Sequence, residues 1–194
     1  MASTGQGEET GPIEQVDEER LERRRIALGN IRQWGDPVLR SVTSEVTVFD
    51  DALRARVARM EGLMEDAVGA GLAAPQVGSL ERMFVYRVER EGEATAVVNP
   101  RIVWRSEDEE TDFEGCLSLS EVVVEVSRPV AVRVEAQDLD GSPMTIEAEG
   151  FEARVIQHEY DHLEGVLIVD RAEADQRREA LRALRERTHP QAGG

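Results

Sequence analysis

Gln157-His158-Glu159-Tyr160-Asp161-His162-Leu163-Glu164-Gly165 sets two histidines four residues apart, with a carboxylate beside the first. On a helix, residues four apart share a face, so His158 and His162 can offer two imidazole nitrogens to one metal ion. Glu159 then stands where it can take a proton from a water on that ion. The chain has only three histidines, and two of them are here. The plain alternative is a wet helix face carrying a solvated glutamate. A chance H-E-x-x-H match is expected in roughly one random chain per few hundred. The pattern predicts a helix from about Phe151 to Leu163, with Gly165 just past its end. Phe151, Val155, His158 and His162 form one stripe, so the metal face prolongs an apolar, buried face.

Immediately upstream, Val130, Val132, Val134 and Ala136 alternate with Arg133, Glu135 and Gln137, the pattern of a half-buried strand. Asp138-Leu139-Asp140-Gly141 turns the chain into Met144, Ile146 and Ala148, which alternate in the same way, so a hairpin leads into the motif helix. Short strands are expected at Met83–Val88, Ala94–Val98 and Arg101–Arg105, the last two parted by a break at Asn99-Pro100. Glu107 to Glu110 reads as a solvated loop. Leu53, Val57, Met60, Met64 and Ala67 recur every three or four residues behind Asp50 and Asp51, giving an amphipathic helix from Asp50 to Val68. A last helix runs from Ala172 to about Arg187, with Ala174, Leu181 and Leu184 as its sparse apolar contacts. Helices and strands are segregated rather than alternating, which points to an α+β fold.

Composition bounds the rest. A chain of 194 residues fits one domain. Residues 1–29 are polar and acidic, with a short helical piece over Glu18–Leu28, and are expected to be a disordered extension whose removal changes little. The catalytic domain is then 30–194, with Gly35-Asp36-Pro37 as an early turn. A net charge of −17 argues against a DNA binder. No run is long enough to span a membrane, and no apolar signal core is present. A single cysteine, Cys116, excludes an intrachain disulfide and suits a reducing cytoplasm. Lysine is absent, which excludes a lysine nucleophile.

A catalytic metal needs a third protein ligand and an open position. Ile168 stands where a distal His of the H-E-x-x-H-x-x-G-x-x-H pattern would be, and His189 lies near a fraying end. Cys116 sits in a Gly-bearing turn; as a lone thiol it would more often be an inert small core residue.

Three stretches together closely resemble the motifs of the peptide deformylases, in the family's order and at similar separations. They are Gly-Ala-Gly-Leu-Ala-Ala-Pro-Gln (69–76), Glu-Gly-Cys-Leu-Ser (114–118) and Gln-His-Glu-Tyr-Asp-His (157–162). Gly35-Asp36-Pro37-Val38-Leu39-Arg40 extends the likeness to roughly residues 30–170. The resemblance implies small mixed and antiparallel sheets packed around the central motif helix. It implies Cys116, His158 and His162 as metal ligands, with Glu159 as general base and later acid. Gln76 and the Leu117 N–H are implied to stabilise the oxyanion; Gly71, Leu72 and Gly115 are implied to contact substrate. Glu114 and Arg128 are implied to pair beneath the Cys loop.

The activity so implied is removal of the formyl group from formylmethionine at the N-terminus of nascent polypeptides. A His₂Cys set suits Fe(II), Ni(II), Co(II) or Zn(II); the family implies iron in the cell and zinc or nickel on purification. Ser120 and Val123 replace the family's common Pro and Arg or Tyr, making the wall beyond Met less polar. A zinc endopeptidase is disfavoured by Ile168 and the Gln76 loop. The other alternative is a non-catalytic, metal-binding relative acting as a ribosome-associated module; intact Glu159 and Gln76 oppose it. Between residues 171 and 187 six arginines face four acids, and the family implies that some members dock on ribosomes through a C-terminal helix, so weak ribosome contact is expected there.

Overall fold

Strand β2 (Met83–Tyr86) is buried at all four positions, because helices cover both of its faces. Met83 and Val85 point towards helix α2 (Asp51–Asp66), where Leu53, Val57, Met60 and Met64 are buried. Phe84 and Tyr86 point the other way, against Ala153, Ile156 and Leu163 of helix α3 (Gly150–Leu163). Strand side chains alternate faces, so one short segment serves two cores. The computed structural model describes residues 12–89 and 92–188.

The main sheet has the order β1-β2-β3-β6-β7 and is antiparallel throughout. Its other members are β1 (Gly71–Ala73), β3 (Thr95–Arg105), β6 (Ala131–Gln137) and β7 (Pro143–Glu149). Strands β4 (Glu109–Gly115) and β5 (Val123–Pro129) pair separately. The hairpin β6–β7 turns where expected. Asp138 Oδ1 accepts the N–H groups of Asp140 (2.8 Å) and Ser142 (2.9 Å), and Gly141 takes φ +80°. Helix α2 starts at Asp50, whose carboxylate accepts the Leu53 N–H at 2.9 Å.

Several elements differ from the sequence reading. Asn99-Pro100 does not end a strand: β3 runs through it with a register shift. Asn99 holds φ +51° there and its amide bonds both the N–H and the C=O of Val46, so the irregularity is a bulge tied to a neighbouring segment. Glu109 and Glu110, read as loop, open β4. Of β4, only Glu114 is buried, so the strand carries no apolar alternation to betray it.

The final helix, α5 (Ala174–Thr188), rests on Ala180 and Leu184; Ala174 is exposed. These residues share a third core with Leu119, Val124, Val126 and with Leu167, Ile168 and Val169, the last two from helix α4 (Ile168–Arg171). At the other end, helix α1 (Pro12–Gly29) is longer than the piece read from charge spacing. Ala27 is 2% exposed and joins the α2 core with Leu28 against it. The expectation of a disordered segment up to residue 29 therefore fails for its last turns, where two apolar residues find a core. Residues 1–11 and His189 lie outside the described residues.

Candidate active site and metal centre

Helix α3 carries the central motif through the middle of the molecule, buried on most sides. Its end is fixed from outside: Thr43 donates both its N–H (2.9 Å) and its hydroxyl (3.0 Å) to the Leu163 carbonyl. Gly165 follows with φ +70°, and a Cβ there would lie 2.8 Å from the Arg40 carbonyl. Only glycine allows the chain to pass so close.

His162 is 1% exposed, and its Nε2 lies 3.3 Å from Cys116 Sγ at the end of β4. Cys116 Sγ and one nitrogen from each of His158 and His162 all lie within 4.8 Å of one another. One ion with bonds of about 2.0–2.3 Å fits that spread, and two imidazoles with a thiolate are the donor set expected of zinc-like and iron-like sites. It is the only such cluster of His, Cys, Asp and Glu among the described residues. His158 Nδ1 lies 3.0 Å from Glu114 Oε2. An ionised carboxylate only accepts, so Nδ1 carries the proton and Nε2 keeps its lone pair for an ion.

Glu114 is the hub of a buried charge network. Arg128 grips it with Nε (2.6 Å) and Nη2 (2.9 Å), and Arg154 adds a bond at 2.8 Å. The third nitrogen of Arg128 reaches Asp161 at 2.9 Å, and Arg171 clasps Asp161 from outside. Burial pushes the Glu114 carboxyl up, but the hydrogen bonds from Arg128 and His158 outweigh it and hold the pKa well below the usual range. The pair expected between Glu114 and Arg128 is present, with both side chains 5% exposed. Arg154, Asp161 and Arg171 were not read as site residues. Arg154 precedes His158 by four positions, and that spacing was the one available signal.

Glu159 differs. It is 3% exposed, and its Oε2 has no hydrogen-bond partner among the described residues. Burial chiefly, helped by the Glu114 charge and opposed by His158 and Arg128, pushes its pKa up to about 7. A Cβ on Gly71 would lie 2.7 Å from Glu159 Cγ, so β1 can pass the carboxylate only because residue 71 has no side chain. Gln76 is 1% exposed: its Oε1 accepts the Ala73 N–H at 2.8 Å, which turns Nε2 towards Ser118 Oγ (3.1 Å) and Cys116 Sγ (3.7 Å). The segment after α1 straps both loops, Arg32 N–H bonding the Gln76 carbonyl and Trp34 N–H that of Ser118.

These groups open onto a cavity of about 530 Å³. Gly71, Gln76, Gly115, Cys116, His158 and Glu159 line it, with Leu117 among its walls. Leu72 does not: it is fully buried in the α2 core, so of the residues implied to contact substrate only Gly71 and Gly115 face the space. Phe151, expected on the buried stripe, is 57% exposed and stands at the mouth with Phe113 and Val123. Arg24 and Leu28 of α1 close another side.

The polypeptide deformylase family profile matches residues 28–178. The chain belongs to this family. Peptide deformylase 1 of Corynebacterium glutamicum is 44% identical over 164 residues, covering 82% of this chain and 96% of that one. The peptide deformylase of Thermotoga neapolitana is 48% identical over 141 residues, covering 73% and 85%. A peptide deformylase of Synechococcus elongatus, solved in complex with actinonin, superposes with a TM-score of 0.76 at 40% identity, covering 79% of this chain and 85% of that one. The α+β architecture is thus the deformylase fold. No helix among the described residues is long and apolar enough to cross a membrane.

Proposed function

We propose that this chain is a metal-dependent hydrolase that removes the formyl group from the N-terminal formylmethionine of newly made polypeptides, with residues 30–194 as its catalytic unit. The observation that carries the reading is the convergence of Cys116, His158 and His162 donors beside the buried, unpartnered Glu159 oxygen. Those three side chains would hold the ion, Fe(II) in the cell and Zn(II) or Ni(II) in isolated protein. When bound, the ion supplies Lewis acidity, lowering the pKa of a water towards ~7 and polarising the formyl oxygen.

The chain's own groups do the rest. Glu159, with a pKa near the working pH, accepts the proton of the attacking water. Water oxygen bonds to the formyl carbon, and negative charge gathers on the formyl oxygen. Gln76 Nε2 and the Leu117 N–H are the donors for that charge; losing one such donor typically costs about 3–4 kcal/mol of barrier. Glu159 returns the proton to the methionyl nitrogen as the C–N bond breaks, giving formate and a free amine. Gly71 leaves room for a group as small as formyl, and Phe113, Val123 and Phe151 give the cavity an apolar border. A non-catalytic role leaves the buried Glu159 without a purpose.

The setting proposed is the cytoplasm, where formylated chains are made. A weak ribosome contact through α5 is proposed on its local excess of arginine, with Arg178 and Arg182 exposed at 75% and 81%. Its check is low-salt co-sedimentation, lost when Arg178, Arg182 and Arg185 become Glu. The central test is formate release from short formyl-Met peptides by metal-loaded protein. Absence of formate with iron, nickel and zinc alike would overturn the assignment.

A further inference from the structure

Most of α1 precedes the segment that matches the family, yet it borders the catalytic cavity. Arg20, Arg24 and Leu28 succeed one another four residues apart and so share a face; Arg23 and Ala27 form the adjoining stripe. Ala27 and Leu28 dock that face on the α2 core, which holds the arginines above the site. Arg24 lines the cavity that contains His158 and Glu159. Across Val68, Gly69 and Ala70 lies a second hollow of about 560 Å³, bordered by Arg20, Arg23 and Arg87 against Glu65 and Asp66. The two hollows share those three wall residues, so they adjoin one another beside the catalytic groups.

None of Arg20, Arg23, Arg24 and Arg87 makes an ion pair among the described residues, whereas most other described arginines do. Of the acids lining the catalytic cavity, Glu114 is engaged by Arg128 and Arg154 and Glu121 by Arg187, while Glu159 is the buried catalytic carboxylate. Four unpaired cations, against the two acids Glu65 and Asp66, therefore border this side of a chain whose net charge is −17. At physiological salt the screening length is about 8 Å, so a peptide at that mouth feels these four arginines, offset in part by Glu65 and Asp66, more than the acids farther away.

We infer that α1 supplies an extended subsite, Arg20, Arg23 and Arg24 with Arg87, that selects acidic side chains in the residues following formylmethionine. The inference rests on the hydrolase reading above. An extended peptide advances about 3.3 Å per residue, so a chain that leaves the catalytic cavity past Arg24 meets the neighbouring arginines within its first few residues. Binding there is remote from the reacting bond and is uniform through the reaction, so it acts on KM.

The test compares three amidated peptides, formyl-Met-Ala-Ala-Ala, formyl-Met-Ala-Asp-Asp and formyl-Met-Ala-Lys-Lys, on the metal-loaded full chain. At 0.15 M salt the acidic peptide is expected to exceed the basic one roughly five- to tenfold in kcat/KM, through KM, since each exposed pair contributes about two- to fivefold. At 1 M salt the ratio should approach one. The variant R20E/R23E/R24E should invert the ranking. Arg59→Glu, an exposed α2 arginine without an ion pair among the described residues, should leave ratio and neutral turnover alone. Turnover of the neutral peptide with a flat wild-type ratio, or a ratio unmoved by the triple reversal, would overturn the subsite. No turnover of the neutral peptide would instead remove the hydrolase reading, and this one with it.

Discussion

Arg128 and Arg154 beneath the site, and Arg178 and Arg182 on α5, are the same side chain facing carboxylates at similar distances. The first two lie 5% and 10% exposed against Glu114; the others stand 75% and 81% exposed. Beneath the site each charge is stripped of water and must be met by a partner, so Glu114, Asp161, Arg128 and Arg154 fix one another and, through His158, the ligand ring, with half-exposed Arg171 at the edge. On α5 water screens the pairs of Arg178 and Arg182, whose partners are neighbours one turn away. Identical chemistry positions a metal ligand in one region and does little more than keep a helix soluble in the other. Burial makes the difference.

The largest effect is expected where the buried region leaves a carboxylate without an arginine. Glu159→Gln should retain the ion, measured by metal content, while turnover falls about 10²–10⁴-fold, the usual worth of a positioned acid–base group. Substantial turnover by the loaded variant would falsify the role given to Glu159. Next comes Arg128→Ala, which strips Glu114 and Asp161 of the buried guanidinium they share. Denaturant unfolding should show a loss of about 3–5 kcal/mol; a loss below ~1 kcal/mol would mean that the network is no more than a surface pair.

Glu114→Gln sharpens the same point through pH. The folded pKa of Glu114 lies below its ordinary value of 4.5, so the wild-type advantage over the variant is full above that value. It should shrink as pH falls towards the folded value, and parallel stability curves down to pH 2 would contradict the assignment. Removing residues 1–29 takes Ala27 and Leu28 from the α2 core and should cost about 1–3 kcal/mol. A melting curve identical to the full chain's would show that α1 adds nothing to the fold. Smallest is Arg178→Ala on α5, for which the unfolding midpoint should not move measurably; a clear shift would erase the contrast between the two regions.

What the sequence discloses follows the same division. The His158–His162 spacing, the β6–β7 hairpin and the α2 stripe were legible because helices and strands impose short periods on their own residues. The network around Glu114 was legible only in part. Arg128 came from family likeness, while Arg154 and Asp161 sit 40 and 33 residues from the groups they bind. Strand β4 escaped notice because Glu114, its one buried residue, is charged. The docking of α1 escaped because Ala27 and Leu28 look slight beside six acids in the first nineteen residues. Leu72 misled in the opposite sense: its neighbour Gly71 faces the cavity, and alternation along β1 turns Leu72 into the core.

Gly71 carries a consequence for inhibitors of such enzymes. Enlarging a residue in the wall of a binding site is a common way for a target to escape a drug. Here the bare Cα of residue 71 abuts Glu159, so even a methyl group would collide with the carboxylate that the reaction needs. The need is one of space, since Gly71 does not take a left-handed backbone conformation. A compound that presses against this strand meets a surface that resistance can reshape only by disarming the enzyme.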